Sequence, residues 1–382
     1  MGRRTFTDGA QLVALGALHA GVDYFVGYPI TPASGIFSAM IKGGVGIAAP
    51  DEITALQYLI GGSAAGRKAM TATSAPGFLL MAEGFGAALM METPLTLVLV
   101  QRLGPATGSA TMNAQGDVML ASGIVSGGFV PPVLCPSTVE ECAEITALAV
   151  NVSETLRVPT IVLTEKEMVV GKRTVDLDKI VLPPVANRAV YAGRPEEFQP
   201  YGNLDERDVP PFRPVGDPDC QIRLTASTHD AAGFIKALDP KVRRNTERLM
   251  VSRHTELLPA CRVDAQKGAE EAIVSYGFTN YAAAEAVRRL RAAGRRVTHV
   301  TVRTLFPVLA DQIAAALEGT KRVVVPEENL SGQYCRVLLG EGLLRGQDVV
   351  RINRMGLCVT PEEIVAAFVG EAGEGVVKEV RP

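Results

Sequence analysis

The sequence holds no pair of cysteines at CxxC spacing; Cys135, Cys142, Cys220, Cys261, Cys335 and Cys358 are scattered. Only four histidines accompany them, so no His/Cys cluster has the spacing of a metal site. The plain reading is free thiols in a reducing compartment. Long apolar runs are missing too: a stretch such as Leu95–Val100 is far too short to span a bilayer. At the N-terminus the apolar stretch starts only after Gln11, is broken by Gly16 and His19, and lacks a small-residue cleavage site. That excludes a signal peptide and leads us to expect a cytoplasmic protein without a membrane partner. There is no Lys/Arg-rich run and the net charge is −3, which removes nucleic acid as an expected partner.

What is present is an ordinary globular composition, 47% hydrophobic and 21% charged over 382 residues, enough for two or three domains. Short Val/Ile/Thr-rich runs alternate with helical patterns. The expected strands are Tyr24–Val26, Ala69–Thr73, Leu95–Val100 and Thr160–Thr164, then Ala272–Ser275, Val297–Val302 and Val323–Val325. Between them, Ile53, Leu56 and Ile60 fall at helical spacing, as do Ala283, Val287, Leu290 and Arg291. Such alternation predicts α/β architecture with parallel sheets and crossover helices. Residues 182–265 differ, with much of the proline and many charges, and read as a linker or insertion. The expected divisions are a first α/β domain over 1–181, that insertion, a second domain over 266–372, and a loosely ordered tail over 373–382.

The first domain carries four polar or Gly-rich clusters, each beside a strand or helix start. They are GYPITP (Gly27–Pro32), PDE (Pro50–Glu52), TATSAPGF (Thr71–Phe78) and QRLGPATG (Gln101–Gly108). Loops at the carboxyl ends of parallel strands converge on ligands, so these four are expected to share one pocket. Residue type alone leaves two readings for each candidate. With Asp51 as N-cap, Glu52 either complements the helix dipole or presents a carboxylate at the pocket mouth. Arg102 either forms a surface ion pair or clamps a carboxylate bidentately. The Thr31 hydroxyl either bonds its own turn or faces the pocket.

Taken in order, these motifs resemble the alpha subunit of 2-oxoacid:ferredoxin oxidoreductases, most closely the 2-oxoglutarate type. QGD (Gln115–Asp117) follows the fourth cluster, as in that family, and TASTHDAAGF (Thr225–Phe234) resembles another of its stretches. EEAIVSYGFTNYAAAEAV, VRTLFP (Val302–Pro307) and VVVPEENLSGQ resemble a transketolase C-terminal-like domain. The resemblance covers nearly the whole chain. It implies a thiamine-diphosphate-binding-fold pyrimidine domain, a parallel sheet flanked by helices, followed by a transketolase C-terminal-like α/β domain.

The resemblance further implies thiamine diphosphate shared with a beta subunit, which would hold the diphosphate, Mg²⁺ and a 4Fe–4S cluster; no metal is expected on this chain. Gamma and delta subunits are further expected partners in a four-subunit arrangement. Carried over by position, Glu52 bonds the pyrimidine ring nitrogen, Tyr28 and Pro29 line the cofactor, Thr31 bonds substrate beside the thiazolium, and Arg102 holds the substrate's 1-carboxylate. The reaction implied is oxidative decarboxylation of a 2-oxoacid, 2-oxoglutarate foremost, with coenzyme A as acyl acceptor, ferredoxin as electron acceptor, and possible reversal. Departures fall close to these residues: Leu103 and Ala75 stand for Gly, Ala106 for Ser, Gly35 where an acid is common, and Gly108–Thr111 replace a Gly-Leu/Met-Pro-Thr turn. The bulk of Leu103 leaves pyruvate, branched-chain and aryl-pyruvate versions as alternatives, with a split non-oxidative decarboxylase and a non-catalytic paralogue as rivals outside the class.

Overall fold

A computed structural model describes residues 3–202, 207–237, 239–370 and 376–378. The first sheet has seven strands in the order Thr304–Phe306, Val133–Leu134, Thr160–Glu165, Leu95–Gln101, Ala69–Thr73, Tyr24–Gly27 and Gly46–Ala48. All neighbours are parallel except Thr304–Phe306, which runs antiparallel to Val133–Leu134. The three central strands, Ala69–Thr73, Leu95–Gln101 and Thr160–Glu165, are buried at every position. A parallel strand covered on both faces has to be apolar on both, which explains why their sequences are continuous apolar runs rather than alternating ones.

Alternate residues of Leu95–Gln101 feed two different cores. Val98 and Val100 pack with helices Gly9–His19 and Glu141–Leu156, whereas Leu97 and Leu99 pack with Glu52–Ala64 and Ala82–Met90. Helix Gly9–His19 lies so close to Glu141–Leu156 that a Cβ at Gly16 would sit 2.0 Å from the Ala143 carbonyl oxygen. On Glu52–Ala64, Leu56 and Ile60 are buried as the spacing predicts, but Ile53 is 51% exposed in the first turn.

The second sheet has six strands, Val376–Lys378, Asp348–Asn353, Arg322–Glu327, Glu271–Ser275, Val297–Thr301 and Arg262–Asp264, the outermost two antiparallel. Helices Thr279–Ala292 and Pro361–Val369 cover one face through Ala283, Val287, Leu290 and Ile364. The other face, through Ala272, Val274, Val323 and Val325, joins the same core as Leu97 and Leu99 of the first sheet. The tail was expected to be loose. Val376–Lys378 instead pairs with Val350–Ile352 as an edge strand; the rest of the tail, 373–375 and 379–382, lies outside the described residues.

The Pro-rich stretch contains short 3-10 turns and one helix, Pro240–Glu247, and is fastened to the first sheet's helices by buried arginines. Arg188 grips Glu154 through Nε at 2.8 Å and Nη2 at 2.6 Å, and also donates to the Ser63 and Arg67 carbonyls. Arg248 pairs with Glu92 in the same buried fashion. Arg188→Ala strands the Glu154 charge out of water and should cost about 3–5 kcal/mol. Urea unfolding of the purified chain measures this; an unchanged midpoint would refute the anchoring role.

Candidate active site

Each of the four clusters emerges from the carboxyl end of a strand in the first sheet. GYPITP follows Tyr24–Gly27, PDE follows Gly46–Ala48, TATSAPGF closes Ala69–Thr73, and QRLGPATG closes Leu95–Gln101. Because those strands are parallel and adjacent in the sheet, the loops gather along one edge.

Asp51 caps helix Glu52–Ala64, accepting the Thr54 N–H at 2.7 Å, and this backbone bond holds its carboxyl below the usual range. Glu52 is the first helical residue and is only 6% exposed. Its carboxylate lies against Gly77, where a Cβ would stand 2.5 Å from Glu52 Oε1 and 2.3 Å from Thr73 Oγ1. A glycine in the TATSAPGF loop is thus what leaves space for the carboxylate.

Arg102 is also buried, 7% exposed, and its Nη1 donates to the Thr31 carbonyl at 2.5 Å, tying the fourth loop to the first. Thr31 is exposed, as are Tyr28 and Pro29. The structure therefore brings Arg102 against the Thr31 backbone and Glu52 against Gly77. Arg102 lines a cleft of about 400 Å³ together with Pro76, Leu103, Asp117, Glu328 and Met355. Several buried polar atoms here have no partner: Ser74 Oγ, Gln101 Nε2, Arg102 Nε and Asp117 Oδ2. Unsatisfied groups of this kind are costly when buried, which sets this strand edge apart from the apolar cores on either side of the sheet.

The sequence reading assigned no role to Asp117 or Glu328. Burial lifts the Asp117 carboxyl to about 6 against the pull of Arg102. Burial also lifts Glu328 to about 7, opposed by bonds from Asn113 and the Val359 N–H, and Glu165 behind it to about 8, opposed by a bond from Gln115. The signal was present: PEENLSGQ closes strand Arg322–Glu327, the same strand-end position that drew attention in the first half.

Comparison with known proteins settles the family. A profile described as pyruvate flavodoxin/ferredoxin oxidoreductase, thiamine diP-binding, matches residues 15–248, and one described as pyruvate:ferredoxin oxidoreductase core domain II matches 269–356. The 2-oxoglutarate synthase subunit KorA of Methanothermobacter thermautotrophicus is 35% identical over 94% of this chain and 96% of its own. This chain belongs to the 2-oxoacid:ferredoxin oxidoreductase alpha subunits. The ketoisovalerate oxidoreductase subunit VorB of the same organism is 30% identical over 91% of this chain and 92% of its own. A solved structure, 2-oxoglutarate:ferredoxin oxidoreductase from Magnetococcus marinus with 2-oxoglutarate, coenzyme A and succinyl-CoA bound, superposes at a TM-score of 0.87 with 28% identity. It covers 97% of this chain, and this chain spans 65% of the solved one. In this family member no helix among the described residues is long and apolar enough to cross a membrane.

Gly77→Ala should push Glu52 aside at a cost of about 1–3 kcal/mol. Calorimetric titration of thiamine diphosphate into the assembled complex should show weaker binding; equal affinity would contradict the packing described. A second expectation concerns pH. Asp117, Glu328 and Glu165 stay neutral in the fold where the unfolded chain ionises, so their contribution is complete below their ordinary values of 3.8 and 4.5 and is lost as pH rises from there through about 6 for Asp117, 7 for Glu328 and 8 for Glu165. Thermal melts should show Tm falling over that window, and Glu165→Gln should flatten the fall. Identical slopes in the two proteins would count against this account.

Proposed function

We propose that this chain forms the pyrimidine side of a thiamine-diphosphate-dependent 2-oxoacid:ferredoxin oxidoreductase. The reaction converts a 2-oxoacid, coenzyme A and oxidised ferredoxin to acyl-CoA, CO₂ and reduced ferredoxin, and runs in reverse given a sufficiently reducing donor. The observation that carries this reading is Arg102, a buried guanidinium fixed through Nη1 on the Thr31 carbonyl and lining the cleft. Buried cations of this kind call for an anionic partner, and a planar guanidinium suits a carboxylate.

The residues fit the cofactor implied by the family. Glu52, buried beside Gly77, is suited to hold a proton at the pyrimidine ring nitrogen. Tyr28 and Pro29 on the exposed first loop would border the cofactor, and the Thr31 hydroxyl beside them would donate to substrate. When bound, thiamine diphosphate supplies the nucleophilic carbon and the electron sink for decarboxylation. Arg102 keeps the 1-carboxylate oriented until it departs, and the apolar cleft wall of Leu103, Leu330 and Met355 limits access by water. A beta subunit would complete the site with the diphosphate, Mg²⁺ and 4Fe–4S positions, with gamma and delta subunits and ferredoxin as further partners in the cytoplasm.

The likeness to subunits named for 2-oxoglutarate supports that substrate foremost. The apolar wall around Leu103, together with the likeness to a ketoisovalerate oxidoreductase subunit, favours a branched-chain or aryl 2-oxoacid as the second reading. Affinity purification from the native host should bring down a partner carrying iron and thiamine diphosphate. That complex should reduce a viologen dye with coenzyme A and one of a panel of 2-oxoacids. A partner without iron would support a split decarboxylase instead. In the complex, Glu52→Gln should lower kcat about 10²-fold or more, and Arg102→Ala should lower kcat/KM about 10- to 100-fold. Near wild-type rates in either variant would remove the role assigned to that residue.

A further inference from the structure

The wall of the cleft that faces Arg102 is built from an irregular segment. Residues Asn113–Asp117 belong to no helix or strand, so no backbone ladder fixes them. Gln115 does so instead, from a fully buried position. Its N–H donates to the Glu328 carbonyl at 2.9 Å, and its Oε1 accepts the Glu328 N–H at 3.1 Å. Its own carbonyl accepts Asn329 Nδ2 at 3.0 Å. Its Nε2 donates to Glu165 Oε1 at 2.8 Å and to the Tyr276 carbonyl at 3.2 Å. One side chain and its peptide groups thus bind the first sheet, through Glu165, to the second, through Tyr276 and the turn after Arg322–Glu327.

Gln333 repeats the stitch on the following residues, donating to the Gly116 carbonyl at 2.7 Å and accepting the Met119 N–H at 2.9 Å. Between these two attachments lies Asp117. Its N–H donates to Gln101 Oε1 at 3.0 Å, and its carboxyl faces the charge of the adjacent Arg102 across the cleft.

We infer that Gln115 is a positioning residue for 2-oxoacid binding: it carries the seat of the second sheet through Asp117 to the Gln101–Arg102 strand end, and so sets where the guanidinium stands. It touches neither substrate nor cofactor in this scheme. Truncating it to Ala removes the three bonds of its side chain, to the Glu328 N–H, Glu165 and the Tyr276 carbonyl, each worth about 1 kcal/mol net, and leaves the backbone bonds to Glu328 and Asn329 as a looser hold on the segment. The result is a misplaced clamp rather than a lost chemical group. The inference rests on the binding role proposed for Arg102.

The test compares wild-type and Gln115→Ala proteins, each assembled with its native partner subunits. The 2-oxoacid KM should rise about 10-fold or more while kcat stays within about threefold. Amide hydrogen exchange over Gln101–Gly108 should also quicken relative to the strands Ala69–Thr73 and Thr160–Glu165, which serve as internal references. Should Gln115→Ala fail to assemble, Gln333→Ala, which cuts only the Gly116 and Met119 bonds, should shift both readouts in the same direction by less. A merely structural role predicts lower Tm and lower kcat with KM and the relative exchange of 101–108 unchanged, and that result overturns the inference. Quickened exchange in a complex that turns over no 2-oxoacid would sustain the coupling and overturn the proposed reaction instead. Unchanged exchange would overturn the coupling whatever the activity.

Discussion

Everything around the cleft depends on one strand being buried along its whole length. Leu95–Gln101 lies in the interior of the first sheet, and its alternate side chains enter two separate cores. At about 25 cal/mol per Å² of apolar surface removed from water, such a strand is held far more firmly than any loop can be. Its last residue, Gln101, is still paired to Glu165 of the neighbouring strand, and the next is Arg102. The backbone at Arg102 therefore inherits the rigidity of the sheet, and the Thr31 carbonyl and the Asn113–Asp117 segment hold what extends beyond it.

The chemistry at this edge is governed by desolvation. Arg102, Glu52, Asp117 and Glu328 are all withdrawn from water within a short stretch of surface. Withdrawal acts oppositely on the two kinds of charge. It leaves an arginine cationic and in want of an anion, because a guanidinium does not give up its proton. It raises carboxyls above their ordinary range, as at Asp117 and Glu328, against the pull of Arg102 in the case of Asp117.

The sheets were legible because buried parallel strands write themselves as apolar runs. Ala69–Thr73 has the expected limits, while Leu95–Gln101 and Thr160–Glu165 each extend one residue further, to a polar side chain that backbone pairing still holds. Ile53, Leu56 and Ile60 fall on one helix as their spacing predicts, with Leu56 and Ile60 buried and Ile53 exposed in the first turn. The tail strand was missed because Gly and Glu dominate around its two valines. Glu52, Thr31 and Arg102 attracted notice through motif and strand-end position. Gln115 and Glu328 were noticed only as parts of the QGD and PEENLSGQ motifs, without a role, because the role comes from two sheets meeting, and no local pattern encodes a contact between residues more than two hundred positions apart. One core is shared between the first sheet and the second, which the domain division in the sequence did not address.

The strand Thr304–Phe306 leaves the second sheet's sequence to complete the first sheet's edge. It makes the two halves of the chain topologically interlocked rather than beads on a string. A polypeptide ending within the Pro-rich stretch would expose the Val133–Leu134 edge, an unpaired template for aggregation. A cut within that stretch would therefore leave two fragments that have to be present together for the first sheet to keep its edge strand.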